Sequence, residues 1–315
     1  MIFMKKILAA LLAVIMIISF CACTKEKETA LVISGTEIDT EIFTYYFHKV
    51  VERPADYGVD IKAKDKVFKE AAIQKCKEYL AVNTRFANEG LKLTAAEKVK
   101  ISQTVNDLWL RFENHYNSIG ISKQTLTKIH TAEAYRDKLF TDKYDLGIDN
   151  LGAESIIQTY FYSNYISFRN ICVYFTKADG TVMSQLERNQ LLETMNSMKE
   201  ITDIRKFNDA ATAAGFSASD SVLLNRNGGG YPDGFFDRIS EQADNTVQII
   251  EYDDCVFAVI KENLKDKGES VYASYRSTCI SNIYSAEYQQ EIIDYTDDME
   301  VDEKNSVDKI VNKYL

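Results

Sequence analysis

Apolar side chains at three- and four-residue spacing open the folded part of the chain. Ile42, Phe43, Tyr46, Phe47 and Val50 mark one face of a helix. Asp39 or Thr40 is placed to accept from the free amides of its first turn, Glu41 favours that turn electrostatically, and Pro54 and Gly58 end it. Ahead of it, Ala30–Ile33 is a short strand-like run and Ser34-Gly35-Thr36 a turn. A longer helix is expected over about 64–89, with Val67, Ala71, Cys76, Leu80 and Phe86 near helical spacing and Gly90 as its stop. Thr94 and Glu97 form a capping box before a helix carrying Val99, Val105, Leu108, Trp109 and Phe112, which ends before Gly120. Ser122 starts another through Leu126, Ile129, Tyr135 and Leu139. This first part reads as helical.

After a break around 147–153 and a helix from Glu154 into the aromatic segment 160–165, the period changes. From Ile166 to Phe175 both alternating sets are largely apolar, as in a central strand covered on both faces. Asp179-Gly180 turns into a helix over about 184–200, and a shorter helix follows over about 204–214. A glycine-rich loop spans 225–230, with a helical turn at 235–240. Residues 246–251 and 255–262 then read as two strands around Tyr252-Asp253-Asp254. A long helix over about 270–297, a possible strand at 299–301 and a short helix over 307–314 close the chain. The fold class is α+β: a compact insert of strands and helices between two helical regions, whose ends are expected to pack together.

The N-terminus has a different character. Lys5 and Lys6 precede an apolar run from Ile7 to Phe20, whose fourteen residues cover roughly 21 Å as a helix, short of a roughly 30 Å hydrocarbon core. This reads as an export signal. Small Ala22 before Cys23 resembles a bacterial lipobox, which implies acylation of Cys23 and a mature chain tethered to the membrane through the charged run 24–29.

The full chain has 315 residues, a formal charge of −10 and 46% hydrophobic residues, so a globular chain is expected and wholesale disorder excluded. An acidic balance without a basic run argues against a nucleic-acid partner. Cys76, Cys172, Cys255 and Cys279 lie in apolar contexts and are expected as free thiols. With no CxxC or Cys/His cluster, neither a metal nor any other cofactor is expected.

The order of these elements resembles the SurA/PrsA family of extracytoplasmic foldases, whose helical chaperone domain carries parvulin-type peptidyl-prolyl isomerase domains. The likeness rests on Val32-Ile33-Ser34-Gly35-Thr36-Glu37-Ile38 leading into the first helix, on Gly90-Leu91-Lys92-Leu93-Thr94-Ala95-Ala96-Glu97 at a helix join, and on Met299-Glu300-Val301 after the long helix. In the insert, Arg169-Asn170-Ile171-Cys172 falls on the family's Arg-His-Ile-Leu, Phe207–Ala211 on its Phe-Ala-Glu-Leu-Ala helix, and Gly228-Gly229-Gly230 on its glycine loop. Asp253–Phe257 falls on its closing Gly-Tyr-His-Ile-Ile. The resemblance implies a signal at 1–22, a chaperone domain at 23–165, a parvulin-like domain at 166–264, and a helix at 265–315 completing the chaperone domain.

It also implies a site built from Asn170, Cys255, Phe235 and Phe236, with both family histidines absent. The chain's three histidines, His48, His115 and His130, all precede the insert. Turning a prolyl amide means lowering a barrier of about 18–20 kcal/mol, and the insert would have to do so without an imidazole. Tyr160, Tyr162, Tyr165 and Tyr231 are candidates for binding extended apolar peptide. No phosphate-loop lysine, GxSxG or nucleophile–histidine pattern is present. The expectation is a lipid-anchored extracytoplasmic chaperone for unfolded exported polypeptides with weak or no isomerase activity. An active isomerase and a non-catalytic surface binding lipoprotein are the alternatives.

Overall fold

The computed structural model describes residues 28–146 and 151–315; the signal segment and Cys23 lie outside the described residues. Strand β1 (Thr29–Ile33) turns through Ser34 and Gly35, both at positive φ (46° and 83°), into β2 (Thr36–Asp39). Two consecutive positive-φ residues match the twist of a two-residue hairpin, and glycine takes the second without strain. The sequence reading placed a turn here but not β2, which buries only Ile38 and is too short to show a period. At its C-terminal end Asp39 accepts from the Ile42 amide at 2.9 Å and starts α1 (Thr40–Glu52).

Helix α1 buries Phe43, Phe47 and Val50 completely. Cover comes from three directions: Leu31 and Ile33 of β1, Phe68, Ala72 and Cys76 of α2 (Asp65–Asn88), and Val307 and Val311 near the C-terminus. The last strand, β7 (Val301–Glu303), pairs antiparallel with β1, giving the sheet order β2-β1-β7. It starts two residues later than Met299. Flanking bonds from Ser34 N to Glu300 O and from Lys304 N to Ala30 O, both 2.9 Å, extend the pairing. The two ends of the chain thus share one core.

Helix α3 (Ala95–Ser118) starts at the expected capping box, with Glu97 N donating to Thr94 Oγ1 at 3.2 Å and Thr94 N to Glu97 Oε2 at 2.6 Å. Helix α4 (Lys123–Thr141) starts at Ser122, whose amide and hydroxyl both donate to Glu41 Oε2 of α1. Deeper in this unit, the Glu78 carboxylate of α2 is 3% exposed and accepts from Lys75 Nζ at 2.9 Å, Arg136 Nη2 of α4 at 3.0 Å and Gln289 Nε2 at 3.3 Å.

The chain divides into two compact units, one taking residues up to 147 and from 284 on, the other Ile148–Ile283. The second unit opens with α5 (Leu151–Asn164), so the aromatic segment before residue 166 groups with the insert. Strand β3 (Tyr165–Tyr174) follows, then α6 (Gln185–Asn196) and α7 (Ile204–Ala213). Next come β4 (Val222–Asn225), α8 (Phe235–Glu241), β5 (Val247–Glu251), β6 (Cys255–Glu262) and α9 (Glu269–Asp294), the last crossing the division at 283/284. The final helix of the first unit is α10 (Asn305–Tyr314).

The four strands form an antiparallel sheet, β4-β3-β6-β5. Edge strand β4 was not expected: its four residues precede the glycine loop without any alternation to announce them. Strand β3 is covered on both faces, as its pattern required. Ile171, Phe175, Val256, Ala258 and Ile260 pack under α6 and α7, while Ile166, Phe168, Phe257 and Val259 pack under α8. Among the described residues no helix is long and apolar enough to cross a membrane.

The Glu78 network has a measurable consequence. Arg136→Ala leaves a buried carboxylate short of a cation and is expected to destabilise the first unit by about 3 kcal/mol in denaturant titration. Desolvation alone would raise the Glu78 carboxyl, but Lys75 and Arg136 outweigh it and hold it below its ordinary 4.5. A carboxyl depressed on folding stabilises fully above its unfolded value, so this contribution is expected to fade as the pH falls below 4.5 and to be weaker throughout in the Arg136→Ala chain.

Candidate functional site

The face of the sheet beneath α8 carries the residues singled out from the sequence. Residues directly opposite in an antiparallel ladder share a face, and side chains alternate along each strand. Asn170, Cys172 and Tyr174 of β3 therefore point to the same side as Cys255, Phe257 and Val259 of β6. Asn170 nevertheless lies opposite Val259, four positions from Cys255, or about 13 Å along the strand at roughly 3.3 Å per residue. The two do not meet. Of the four residues grouped from the sequence, the sheet register thus sets Asn170 and Cys255 apart on one face.

Asn170 is 8% exposed and fully engaged. Its amide donates to Ser219 Oγ at 3.0 Å, its carbonyl accepts from Ser219 N at 2.8 Å, and its side-chain Nδ2 donates to Tyr231 Oη at 3.1 Å. Burial pushes the Tyr231 phenol above its ordinary value, against the lowering effect of the Asn170 bond. The neighbour of Cys255 on this face is instead Cys172, diagonal to it across the β3–β6 ladder. Burial raises both thiols, Cys255 up to about 12. Tyr231, Cys172 and Cys255 thus all stay protonated at neutral pH. Sequence reasoning missed Cys172 as a partner, although its even spacing from Asn170 placed it on the same face.

Phe235 and Phe236 are 1% and 7% exposed and form packing rather than an open pocket. The Phe235 ring stacks on Tyr231 at 4.4 Å and meets Phe257 at 5.0 Å and Phe168 at 5.4 Å. The guanidinium of Arg226 lies over Phe236 at 4.6 Å. This face can hydrogen-bond through an amide and a phenol and offers aromatic surface at its rim, while Tyr231, Cys172 and Cys255 keep their protons at neutrality.

Among the candidate binding tyrosines, Tyr165 is 5% exposed, locked between Phe161 and Tyr275. Tyr160 and Tyr231 are half-buried. Tyr162 is 39% exposed and lines a polar cavity of about 480 Å³ with Ser155, Gln158, Thr159, Ser163 and Lys265, whose Nζ sits 5.8 Å from its ring centroid. The structure does not assemble these four into one aromatic surface. Larger exposed apolar side chains lie at Tyr174, Val182 and Leu186 of this unit and, in the first unit, on α3. Only Val105 and Tyr116 of its 24 residues are buried, while Leu110 is 80%, Val99 54% and Phe112 49% exposed. That helix is kinked at Phe112 (φ −128°, ψ 18°). The histidines all sit in the first unit, His48 against Tyr314 and His115, and His130 against Glu133.

The glycine loop has one position that sterics dictate. A Cβ on Gly228 would stand 2.9 Å from Asn225 O and from Leu224 Cδ1, whereas one on Gly229 meets nothing within 4 Å. Gly228→Ala is expected to destabilise the second unit by about 1–2 kcal/mol through displacement of the end of β4, and Gly229→Ala to leave it nearly unchanged, as read by thermal unfolding.

No family model matches the chain, and no curated protein matches it. Solved structures do. The foldase protein PrsA from Lactococcus lactis aligns over 91% of this chain and 99% of its own, at 10% identity and a TM-score of 0.39. PrsA from Streptococcus pneumoniae aligns over 89% and 90%, at 10% identity and 0.35. The peptidylprolyl isomerase PrsA from Bacillus cereus aligns over 92% and 99%, at 12% identity and 0.34.

Proposed function

We propose that the protein is an extracytoplasmic, lipid-anchored holding chaperone for unfolded exported polypeptides, in which the sheet unit contributes binding rather than prolyl isomerisation. The observation that carries this reading is α3. A 24-residue helix that buries two side chains and leaves Leu110, Val99 and Phe112 largely exposed is poorly explained by the stability of its own unit. Apolar side chains that share one exposed face mark surfaces that take up other apolar groups, and Val99 and Leu110, eleven positions apart, lie on the same side of this helix. Unfolded chains offer such groups in no fixed order, and separate exposed apolar positions along one helix up to its kink at Phe112 suit them better than one shaped pocket.

Two further features support the reading. The export run 7–20 followed by Ala22-Cys23 supports an anchor at the outer membrane face, and the charged residues after Cys23 would hold the folded part away from it. The sheet face beneath α8 supports weak or absent isomerisation: its aromatic residues are packed on one another and its polar groups are held protonated.

An aggregation assay with a chemically unfolded client tests the proposal. Stoichiometric protein is expected to suppress light scattering, and the double substitution Leu110→Glu with Phe112→Glu to weaken suppression several-fold while leaving the unfolding midpoint nearly unchanged. Absence of suppression by the parent chain would refute the chaperone reading. In the same samples, a proline-limited refolding reaction is expected to run at its uncatalysed rate of tens to hundreds of seconds. Clear acceleration would favour the isomerase alternative instead.

A further inference from the structure

We infer that Cys172 and Cys255 are a reversible dithiol–disulfide pair, oxidised by low-molecular-weight disulfides to an intramolecular bond between β3 and β6. The inference stands apart from the chaperone reading and holds whether or not the chain handles unfolded clients.

The geometry is that of neighbours on one sheet face. Cys172 lies opposite Phe257 and Cys255 opposite Tyr174, which makes the two cysteines diagonal partners on adjacent strands. Both side chains lie on the sheet face that packs beneath α8, Cys172 at its edge and Cys255 within the cluster. Exposure separates their roles. Cys172 is partly exposed, whereas Cys255 is 2% exposed. The two remaining body cysteines, Cys76 and Cys279, are both 0% exposed and offer no comparable entry to a reagent.

Diagonal neighbours stand about 7–8 Å apart at Cα, and a disulfide prefers about 5.5–6 Å, so closing the bond draws the strands together by roughly 1–2 Å. The pair sits near the end of the ladder: β3 ends at Tyr174 and β6 begins at Cys255 after the reversal through Tyr252, with one further bond, Phe175 N to Asp254 O at 2.8 Å, beyond it. A bond made against that displacement belongs among the readily reduced ones.

The exchange proceeds in two displacements. The Cys172 thiolate attacks one sulfur of the small disulfide, forming a mixed disulfide and expelling one small thiolate. The Cys255 thiolate then attacks the Cys172 sulfur and expels the second. Two protein thiols are oxidised, one small disulfide is reduced to two thiols, and the two protons released by the cysteines go to the departing thiolates. Because burial keeps both thiols protonated at neutral pH, each added pH unit below their titration is expected to speed the exchange about tenfold.

Oxidised glutathione with the full chain in detergent provides the test, followed by alkylation and peptide mapping without reductant. A Cys172–Cys255 cross-linked peptide that disappears with dithiothreitol is expected, while Cys76 and Cys279 are recovered as thiols. The Cys255→Ser chain is expected to stop at a glutathione adduct on Cys172, and the Cys172→Ser chain to leave Cys255 unmodified. Recovery of Cys172 and Cys255 as free thiols in the parent chain, or linkage of either to a different cysteine, would overturn the inference.

Discussion

The rings of Phe43 and Phe47 can be buried only if both ends of the chain arrive at the same helix. One side of α1 is covered by β1 and α2, which are near in sequence, but the cover is completed by Val307 and Val311, more than 250 positions away. Fully burying a side chain of this size stabilises by about 1.5–3 kcal/mol, so the rings α1 presents outweigh the loop-closure cost of bringing the C-terminus back. The β1–β7 ladder fixes where it lands: Ile33 opposite Val301 and Leu31 opposite Glu303 set the register from which α10 starts. Everything else in the first unit, including the sparsely buried α3, is attached to this closure.

The second unit solves a different problem. Its central strand β3 has apolar residues on both sides, so each face needs its own cover, α6 and α7 on one and α8 on the other. Satisfying that demand uses up the aromatic residues nearest Asn170. Tyr231, Phe235 and Phe257 stack into a small core, Asn170 is bonded to Tyr231 beside it, and the guanidinium of Arg226 lies over Phe236 at its rim. The buried carboxylate of the unit lies on the opposite side of the sheet: Glu262, 2% exposed, accepts from Ser167 and Ser221 and pairs with Arg169 and Lys267.

Helix periodicity and capping residues made the first unit legible in the sequence. Asp39, Thr94 with Glu97, Ser122 and Gly90 each mark a boundary by a side-chain bond or a backbone conformation that few residues supply, and the structure places each at one. Strands β2 and β4 were invisible for the opposite reason. Four residues give two side chains per face, too few for alternation to emerge, and both are edge strands defined by a partner rather than by their own pattern. The site suffered most because register is a long-range property. Spacing told that Asn170 and Cys172 share a face, but nothing in the local sequence reveals that Val259 rather than Cys255 stands opposite Asn170. The burial of Tyr165 was hidden for a related reason: its cover, Tyr275, comes from a helix a hundred residues later.

The shared core of the two chain ends is tested most directly by amide hydrogen exchange on the chain shortened to end at residue 298. If α1 depends on the returning C-terminus, the amides of Phe43 and Phe47 will exchange orders of magnitude faster than in the intact protein, together with those of β1, while the amides of β3 and β6 in the second unit keep their protection. Unchanged protection of Phe43 and Phe47 in the shortened chain would contradict the account.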